Sequence, residues 1–353
     1  MAGGIGSRFW PMSRTNFPKQ FIDVLGVGST LIQQTYERFL AICPKENILV
    51  VTSEQYKQLV LDQLPEISEK QVLCEPSRRN TAPCIAYASY KIAAENENAN
   101  VIVAPSDHLV LKQNEFTDII NTALSQIENS DTLCTLSIKP TRPDTGYGYI
   151  QFTDLDNVTD ERVKRVKTFT EKPDLELAKQ FLNSGDFYWN SGIFIWNNKT
   201  ILKEFEQHLP EINDLFKDGI GIYNTSAEAD FIKSTYQDCK NISIDYGIME
   251  KAKSVITVLS DFGWSDLGSW GSLYTHIEHD KNHNAVAGKQ IKLYETENSI
   301  INISDDRLAV IQGLKEYIVV DTEDVLLICK KKDEQKIKQF VADLKSAKAD
   351  KFV

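Results

Sequence analysis

The chain of 353 residues lacks the features that mark several protein classes. No apolar run approaches the roughly 18 residues that cross a bilayer, and the first residues form no apolar leader core. The six cysteines, Cys43, Cys74, Cys84, Cys134, Cys239 and Cys329, include no C-x-x-C pair and no Cys/His cluster at zinc spacing. That excludes a disulfide scaffold or a zinc module as the organising device, and it points to reduced thiols in a cytoplasmic protein. Basic residues are outnumbered, 39 Lys and Arg against 50 Asp and Glu, for a net charge of −11. Such a chain repels polyanions, so no nucleic-acid partner is expected, and without a spanning run no membrane partner is expected either. Low-complexity linkers and long internal repeats are also missing.

What remains is a chain that is 42% hydrophobic, ample for a large core and for two domains. Short apolar runs alternate with helical patterns. "NILVVTS" (47–53), "QVLCEP" (71–76), "NVIVAPSDHLV" (100–110) and "TLCTLSI" (132–138) read as buried strands. "TLIQQTYERFLAI" (30–42), "TAPCIAYASYKIAAE" (81–95) and "QNEFTDIINTALSQI" (113–127) read as helices with one apolar face. This alternation predicts an α/β fold with a Rossmann-like, doubly wound, mostly parallel sheet. "TGYGYIQF" and "RVKRVKTFTEKP" look like antiparallel additions, and "NSGIFIWN" like a short strand before a helix near 198–208. From about residue 285 the chain turns strand-rich and ends in a Lys-rich helix (332–346). The expected domains are residues 1–280 and residues 285–353.

The opening "MAGGIGSRFWPMSRTNFPKQF" places glycines and cations together before any apolar strand. A glycine-rich phosphate loop ordinarily follows such a strand, so the first strand is either short or begins before Met1. Read alone, G-x-G is an ordinary turn. Phe9 stands where a dinucleotide fingerprint needs glycine, and no Walker pattern is present. Gly3, Gly4 and Gly6 would let backbone N–H groups approach phosphate oxygens. Arg8 would grip those oxygens bidentately, Lys19 would add a point charge, and Arg14 lies between them in sequence. Two acidic residues end apolar runs. Asp107 sits in "APSDHLV", and Asp266 in the turn "GWSDLGSW"; each reads alone as a cap or an Asx turn.

The extended string Gly-Gly-x-Gly-x-Arg, then Pro-Lys at 18–19, resembles the signature of sugar-1-phosphate nucleotidyltransferases. "GSRFWPMSR", "PKQF", "CEPSRRNTAPC" and "SIDYGIMEK" are similar to the mannose-1-phosphate guanylyltransferase branch. The match runs through residues 1–270 in at least six ordered motifs. The resemblance implies a small C-terminal domain resembling a left-handed β-helix. It implies GTP and α-D-mannose 1-phosphate as substrates, GDP-mannose and pyrophosphate as products, and Mg²⁺ or another divalent cation held by Asp107 and Asp266. Arg8, Lys19 and Lys172 would be the catalytic cations. Ala2, Gly3, Gly4, Gly6, Ser7, Arg79, Asn80 and Thr81 would bind the nucleotide. Gly146, Gly148, Glu171, Asn190 and Asp245 would bind the sugar. A homodimer is compatible with it. Three other readings remain open at this point: another sugar phosphate or nucleotide, an NAD-dependent oxidoreductase, and a non-catalytic nucleotide-sugar sensor. Phe9 and the clustered cations oppose the second, and the presence of every candidate ligand and cation opposes the third.

Overall fold

The structure is a computed structural model that describes residues 1–128, 130–156 and 158–353. In chain order, the first half comprises α1 (Leu31–Leu40), β1 (Val50–Ser53), α2 (Lys57–Gln63), β2 (Val72–Glu75), α3 (Thr81–Ala93), β3 (Asn100–Val103), β4 (Leu109–Val110), α4 (Gln113–Ile127), β5 (Leu133–Ile138), β6 (Gly148–Asp154) and β7 (Val163–Glu171). There follow α5 (Leu175–Ser184), β8 (Phe187–Asn197), α6 (Asn198–His208), α7 (Pro210–Lys217), α8 (Glu228–Asp238), β9 (Val255–Ser260), β10 (Trp264–Ser265) and α9 (Trp270–Tyr274). The tail carries β11 (Ala285–Ala287), β12 (Ile291–Tyr294), β13 (Ile300–Asn302), β14 (Ala309–Gln312), β15 (Tyr317–Asp321), β16 (Leu326–Lys330) and α10 (Ile337–Ser346). These elements pack into two compact units that are not continuous in sequence. One comprises Met1–Gly3, Arg38–Pro105 and Val110–Trp264; the other comprises Gly4–Glu37, Ser106–Leu109 and Ser265–Val353.

In the first unit a six-stranded sheet has the order β3-β8-β5-β9-β7-β6, and β1 and β2 form a separate parallel pair. The sheet is mixed rather than mostly parallel. Strand β8 lies antiparallel between β3 and β5, β7 is antiparallel to β9, and only β5–β9 pairs in parallel. The alternation of strands and helices does leave its mark: β3, β5 and β9 all run the same way. What it cannot encode is that the β6–β7 excursion returns through β8 into the middle of that frame. Central β5 reads "LCTLSI" and is buried on both faces, as a strand covered on both sides must be. Along β8, Phe194 and Trp196 face one apolar cluster with α3, α6, α7 and α8, while Ile193 and Ile195 face another with α4 and α5.

The segment 100–110, read as a single strand, is two. It breaks between β3 and β4 at Pro105, which has no N–H to give a ladder. The residues before the glycine loop occupy a strand-like position in this unit. The Met1 ammonium donates to Ala104 O (2.9 Å), and Ala2 N donates to Val51 O (2.7 Å).

In the second unit the tail coils. Strands β11, β13 and β15 stack in parallel, with Ala285 opposite Ile300 and Ile300 opposite Ile318. Strands β12 and β14 form a second parallel face, and Ile291, Leu293, Ile301, Ile311 and Val319 fill the interior. Antiparallel β16 closes the coil against β15. The same unit buries Phe9, Trp10, Trp270, Ile300 and Ile337 in one cluster, and Trp10 Nε1 donates to Phe352 O (2.6 Å). No helix among the described residues is long and apolar enough to cross a membrane.

Candidate active site

The phosphate-type residues lie in the second unit. Gly6 takes φ +68°, a backbone region that glycine occupies without penalty, and a Cβ there would lie 2.5 Å from Lys19 Cβ. Both the turn and the close approach therefore require glycine. Lys19 is 3% exposed, and its ammonium is fully engaged. It lies 2.8 Å from Asp107 Oδ2 and donates to Asp266 O (2.7 Å) and Leu267 O (3.2 Å). Two carboxylate-bearing segments 159 positions apart (266 − 107) thus meet on one cation.

Burial pushes the Asp107 carboxyl up, but Lys19 and then His108 outweigh it, and the carboxyl stays below its ordinary range. Asp266 also makes the Asx turn anticipated for it, Oδ1 accepting from Gly268 N (2.8 Å). Leu267, at φ +42°, holds a left-handed conformation that turns its carbonyl toward Lys19.

The other N-terminal cations diverge. Arg8 follows Ser7 in a short 3₁₀ turn, Ser7–Phe9, and among the described residues its side chain makes no hydrogen bond or ion pair with protein. Arg14 is not part of the phosphate group. Its Nη2 lies 2.5 Å from Asp324 Oδ1 and donates to Thr322 Oγ1 (3.1 Å), joining the loop to the C-terminal coil. Gly4 has open space around its Cα and accepts at its carbonyl from Gln20 Nε2 (3.0 Å).

The sugar-type residues lie in the first unit and converge. Asn190 Nδ2 donates to Asp245 Oδ1 (3.0 Å), while Asn190 Oδ1 accepts from Thr135 Oγ1 (2.9 Å) and Gly192 N (3.2 Å). Asp245 opens a single π-type turn, Asp245–Met249, a rare feature that recurs at functional sites. Burial and then the nearby Glu171 carboxylate push its carboxyl up to about 6. Lys172 pairs with Glu171 and sits at φ +49° in the turn before Pro173. A Cβ on Gly148 would run into the Glu171 carboxylate and crowd Asn190 Cβ at 3.4 Å. Gly146 is fixed by Asp144, whose Oδ1 accepts from its N–H (2.8 Å).

The third group surrounds the start of α3. Asn80 caps it from φ +68°, its Oδ1 accepting from Thr81 N (2.9 Å). Thr81 Oγ1 accepts from Ile244 N (2.8 Å), which ties this helix start to the residue before Asp245. Arg79 turns away from Asn80, with Nε donating to Tyr236 O (3.2 Å) and Nη2 to Gln237 O (3.4 Å) at the end of α8.

One residue of this group escaped the sequence reading. Glu75, 7% exposed, ends β2, and Tyr236 Oη donates to its Oε1 (2.9 Å). Its Oε2 faces Gly3, where a Cβ would lie 3.4 Å away. Burial pushes the carboxyl up to about 7, against the pull of Tyr236, the N-terminal ammonium and Arg78. The available signal was a lone acid closing the buried run "QVLCE" just before proline.

The nucleotidyl transferase family matches residues 1–283, and the MannoseP isomerase/GMP-like beta-helix domain matches residues 288–344. A mannose-1-phosphate guanylyltransferase of Escherichia coli is 34% identical over 352 residues, covering 98% of this chain and 74% of that protein. The alginate biosynthesis protein AlgA of Pseudomonas aeruginosa is 34% identical over 349 residues, covering 98% of this chain and 71% of that one. A crystal structure described as mannose-1-phosphate geranyltransferase from Thermus thermophilus superposes with TM-score 0.86 at 29% identity, covering 98% of both chains. The chain belongs to the nucleotidyl transferase family, and along nearly its whole length it is a relative of enzymes named mannose-1-phosphate guanylyltransferase.

Proposed function

We infer that this enzyme transfers GMP from GTP to α-D-mannose 1-phosphate, giving GDP-mannose and pyrophosphate. The observation that carries the reading is the meeting of Lys19, Asp107 and Asp266 in the unit that also holds the loop Gly4-Ile5-Gly6-Ser7-Arg8. Among the described residues Arg8 has no protein partner in a chain of net charge −11, and an anionic ligand accounts for that. Arg8 and the loop N–H groups hold the triphosphate. Lys19 fixes the two acidic segments and lends positive charge beside them.

Asp107 and Asp266 form an all-oxygen donor set. Among the described residues, no group of three or more His, Cys, Asp or Glu is arranged to hold a metal alone. Two carboxylates completed by substrate phosphates are what Mg²⁺ accepts. When bound, that ion neutralises charge on the phosphates and the leaving pyrophosphate. The sugar phosphate is already ionised at neutral pH, so no general base is required. One of its oxygens attacks the α-phosphorus in line, and the P–O bond to pyrophosphate breaks.

Glu75 accepts from guanine N1–H and the 2-amino group, with Asn80 and Thr81 beside it. Adenine presents a bare N1 to that carboxylate and is rejected. Asn190, Asp245 and Glu171 bind sugar hydroxyls, Gly146 and Gly148 admit the ring close to the backbone, and Lys172 meets the sugar phosphate. Residues 1–280 act as the catalytic domain and 285–353 as an appended one. The six cysteines are free thiols, in keeping with a cytoplasmic enzyme.

A pyrophosphate-release assay crossing five nucleoside triphosphates with several sugar 1-phosphates tests this. Turnover should need GTP and mannose 1-phosphate together; comparable use of ATP or UTP would overturn the guanylyl assignment.

A further inference from the structure

We propose that Tyr236 is the positioning residue for Glu75, and that Arg79 reaches the nucleotide site only through Tyr236. The proposal rests on the reading of Glu75 as the acceptor for the base.

Tyr236 is 161 positions from Glu75, is 1% exposed, and touches the carboxylate at a single oxygen through its hydroxyl (2.9 Å). A buried carboxylate with one fixed oxygen keeps its plane and its other oxygen in a defined direction, here toward Gly3. The tyrosine is itself held twice. Its ring packs edge-on against Phe216, with centroids 5.8 Å apart. Its carbonyl and that of Gln237 accept from Arg79, a cation placed on the open C-terminal carbonyls of α8. The chain beyond α8 is fixed to the start of α3 as well, since Ala82 N donates to Ile242 O (3.1 Å). Arg79, α8, Tyr236 and Glu75 therefore form one continuous support, and it accounts for a guanidinium turned away from its neighbour Asn80.

The hydroxyl also governs charge. The groups facing Glu75 are Tyr236 on α8, Cys239 just beyond it, Cys84 on α3, Arg78 in the connecting loop and the N-terminal ammonium. Burial pushes both thiols up, so they stay neutral at physiological pH. Burial drives Glu75 toward its protonated form, while the Tyr236 donor, the ammonium and Arg78 favour the carboxylate. Only the ionised form offers guanine two acceptors. Removing the hydroxyl should both free the carboxyl to turn and raise the pH at which it ionises.

The test is the pH profile of kcat/KM for GTP in Tyr236→Phe. Relative to the native enzyme, its acid limb should move up by about one pH unit, and kcat/KM at pH 7 should fall about tenfold, the worth of a hydrogen bond to a charged group. Activity should recover to within about threefold by pH 8.5, with KM for mannose 1-phosphate changed less than about twofold, because the fold and the sugar groups are untouched. Arg79→Gln should shift the limb in the same direction by less. Unchanged limbs in both variants overturn the proposal. So does a loss in Tyr236→Phe that pH does not restore and that falls on both substrates, as merely structural damage would. Glu75→Gln separates the two ideas. It should abolish the acid limb and narrow the preference for GTP over ATP; if that preference persists, the base assignment fails, and Tyr236 positions nothing that reads the nucleotide.

Discussion

The Lys19 ammonium lies 2.8 Å from Asp107 Oδ2, in a contact almost closed to solvent on the lysine side. The pair is no ordinary surface ion pair, because Lys19 also donates to two backbone carbonyls of the Asp266 turn. Three acceptors converge on a compact donor, which suits an ammonium and not a planar fork. Lys19→Met should lower kcat by about 10²-fold or more, since it leaves two carbonyls and a carboxylate short of a donor, each worth roughly 1–3 kcal/mol. Lys19→Arg should not rescue it, because a planar guanidinium cannot aim its donors at all three acceptors as a compact ammonium does. Steady-state kinetics check this, and a Lys19→Arg enzyme within threefold of native would refute the geometry.

The two carboxylates make a separate prediction. Asp107→Ala and Asp266→Ala should each lower kcat by about 10²-fold or more, the scale of a lost metal contribution to charge stabilisation. Native turnover should vanish in excess EDTA and return with added Mg²⁺. Full activity in the chelator would end the metal assignment. Asp266→Asn is the finer probe, because its side chain can still accept from Gly268 N and keep the turn while losing the charge.

Much of this was legible in the chain. α4 falls on 113–127, where the apolar periodicity put it, and α3 begins at Thr81 as read. Local patterns of period 3.6 sense one neighbouring face, as on α4, whereas α3 is buried without a break from Ala82 to Tyr87. The position of β8 between β3 and β5 was not legible, because strand order is decided by long-range pairing and not by periodicity. In the site, the glycine loop and the two acids could be picked out, yet their grouping around a buried lysine could not. A lysine in "FPKQF" looks like a surface residue until the fold buries its stem under Phe9 and Gly6. Arg14, which lies between Arg8 and Lys19 in sequence, and Arg79 show the opposite case. Each found a protein acceptor, Asp324 or the end of α8, that lies more than 150 positions away in sequence.

The sugar side can be tested without touching the phosphate loop. Lys172 is more than half exposed, so its pair with Glu171 adds little to stability. Lys172→Ala should leave the melting temperature unchanged while raising KM for mannose 1-phosphate more than KM for GTP. Gly148→Ala should do the same by a different route, its methyl displacing the Glu171 carboxylate. Equal movement of both Michaelis constants in both variants would remove Glu171 and Lys172 from the sugar site.

Asp245 supplies a prediction about pH. Its carboxyl is raised from 3.8 to about 6 by burial and by Glu171. Below pH 4 the group is protonated in the folded and unfolded chain alike, and it contributes nothing to the pH dependence of stability. Between pH 4 and 6 the unfolded chain loses its proton while the folded chain keeps it, so the folded state is progressively disfavoured. Above pH 6 the penalty is complete and constant. The residue is partly exposed, and screening reduces that penalty to the order of 1 kcal/mol. Asp245→Asn removes the charge but keeps an acceptor for Asn190 Nδ2. The variant should therefore melt higher than the native enzyme at pH 8, by roughly 1–3 °C for a chain of this size, and the gap should close as pH falls toward 4. It should also bind mannose 1-phosphate more weakly at pH 8, where a carboxylate is a better acceptor for a sugar hydroxyl than an amide. Thermal unfolding across pH 4 to 8 decides the matter: a variant less stable at pH 8 than at pH 4, relative to native, would show that the Asp245 charge is welcomed by its surroundings and that Glu171 is not the neighbour it opposes.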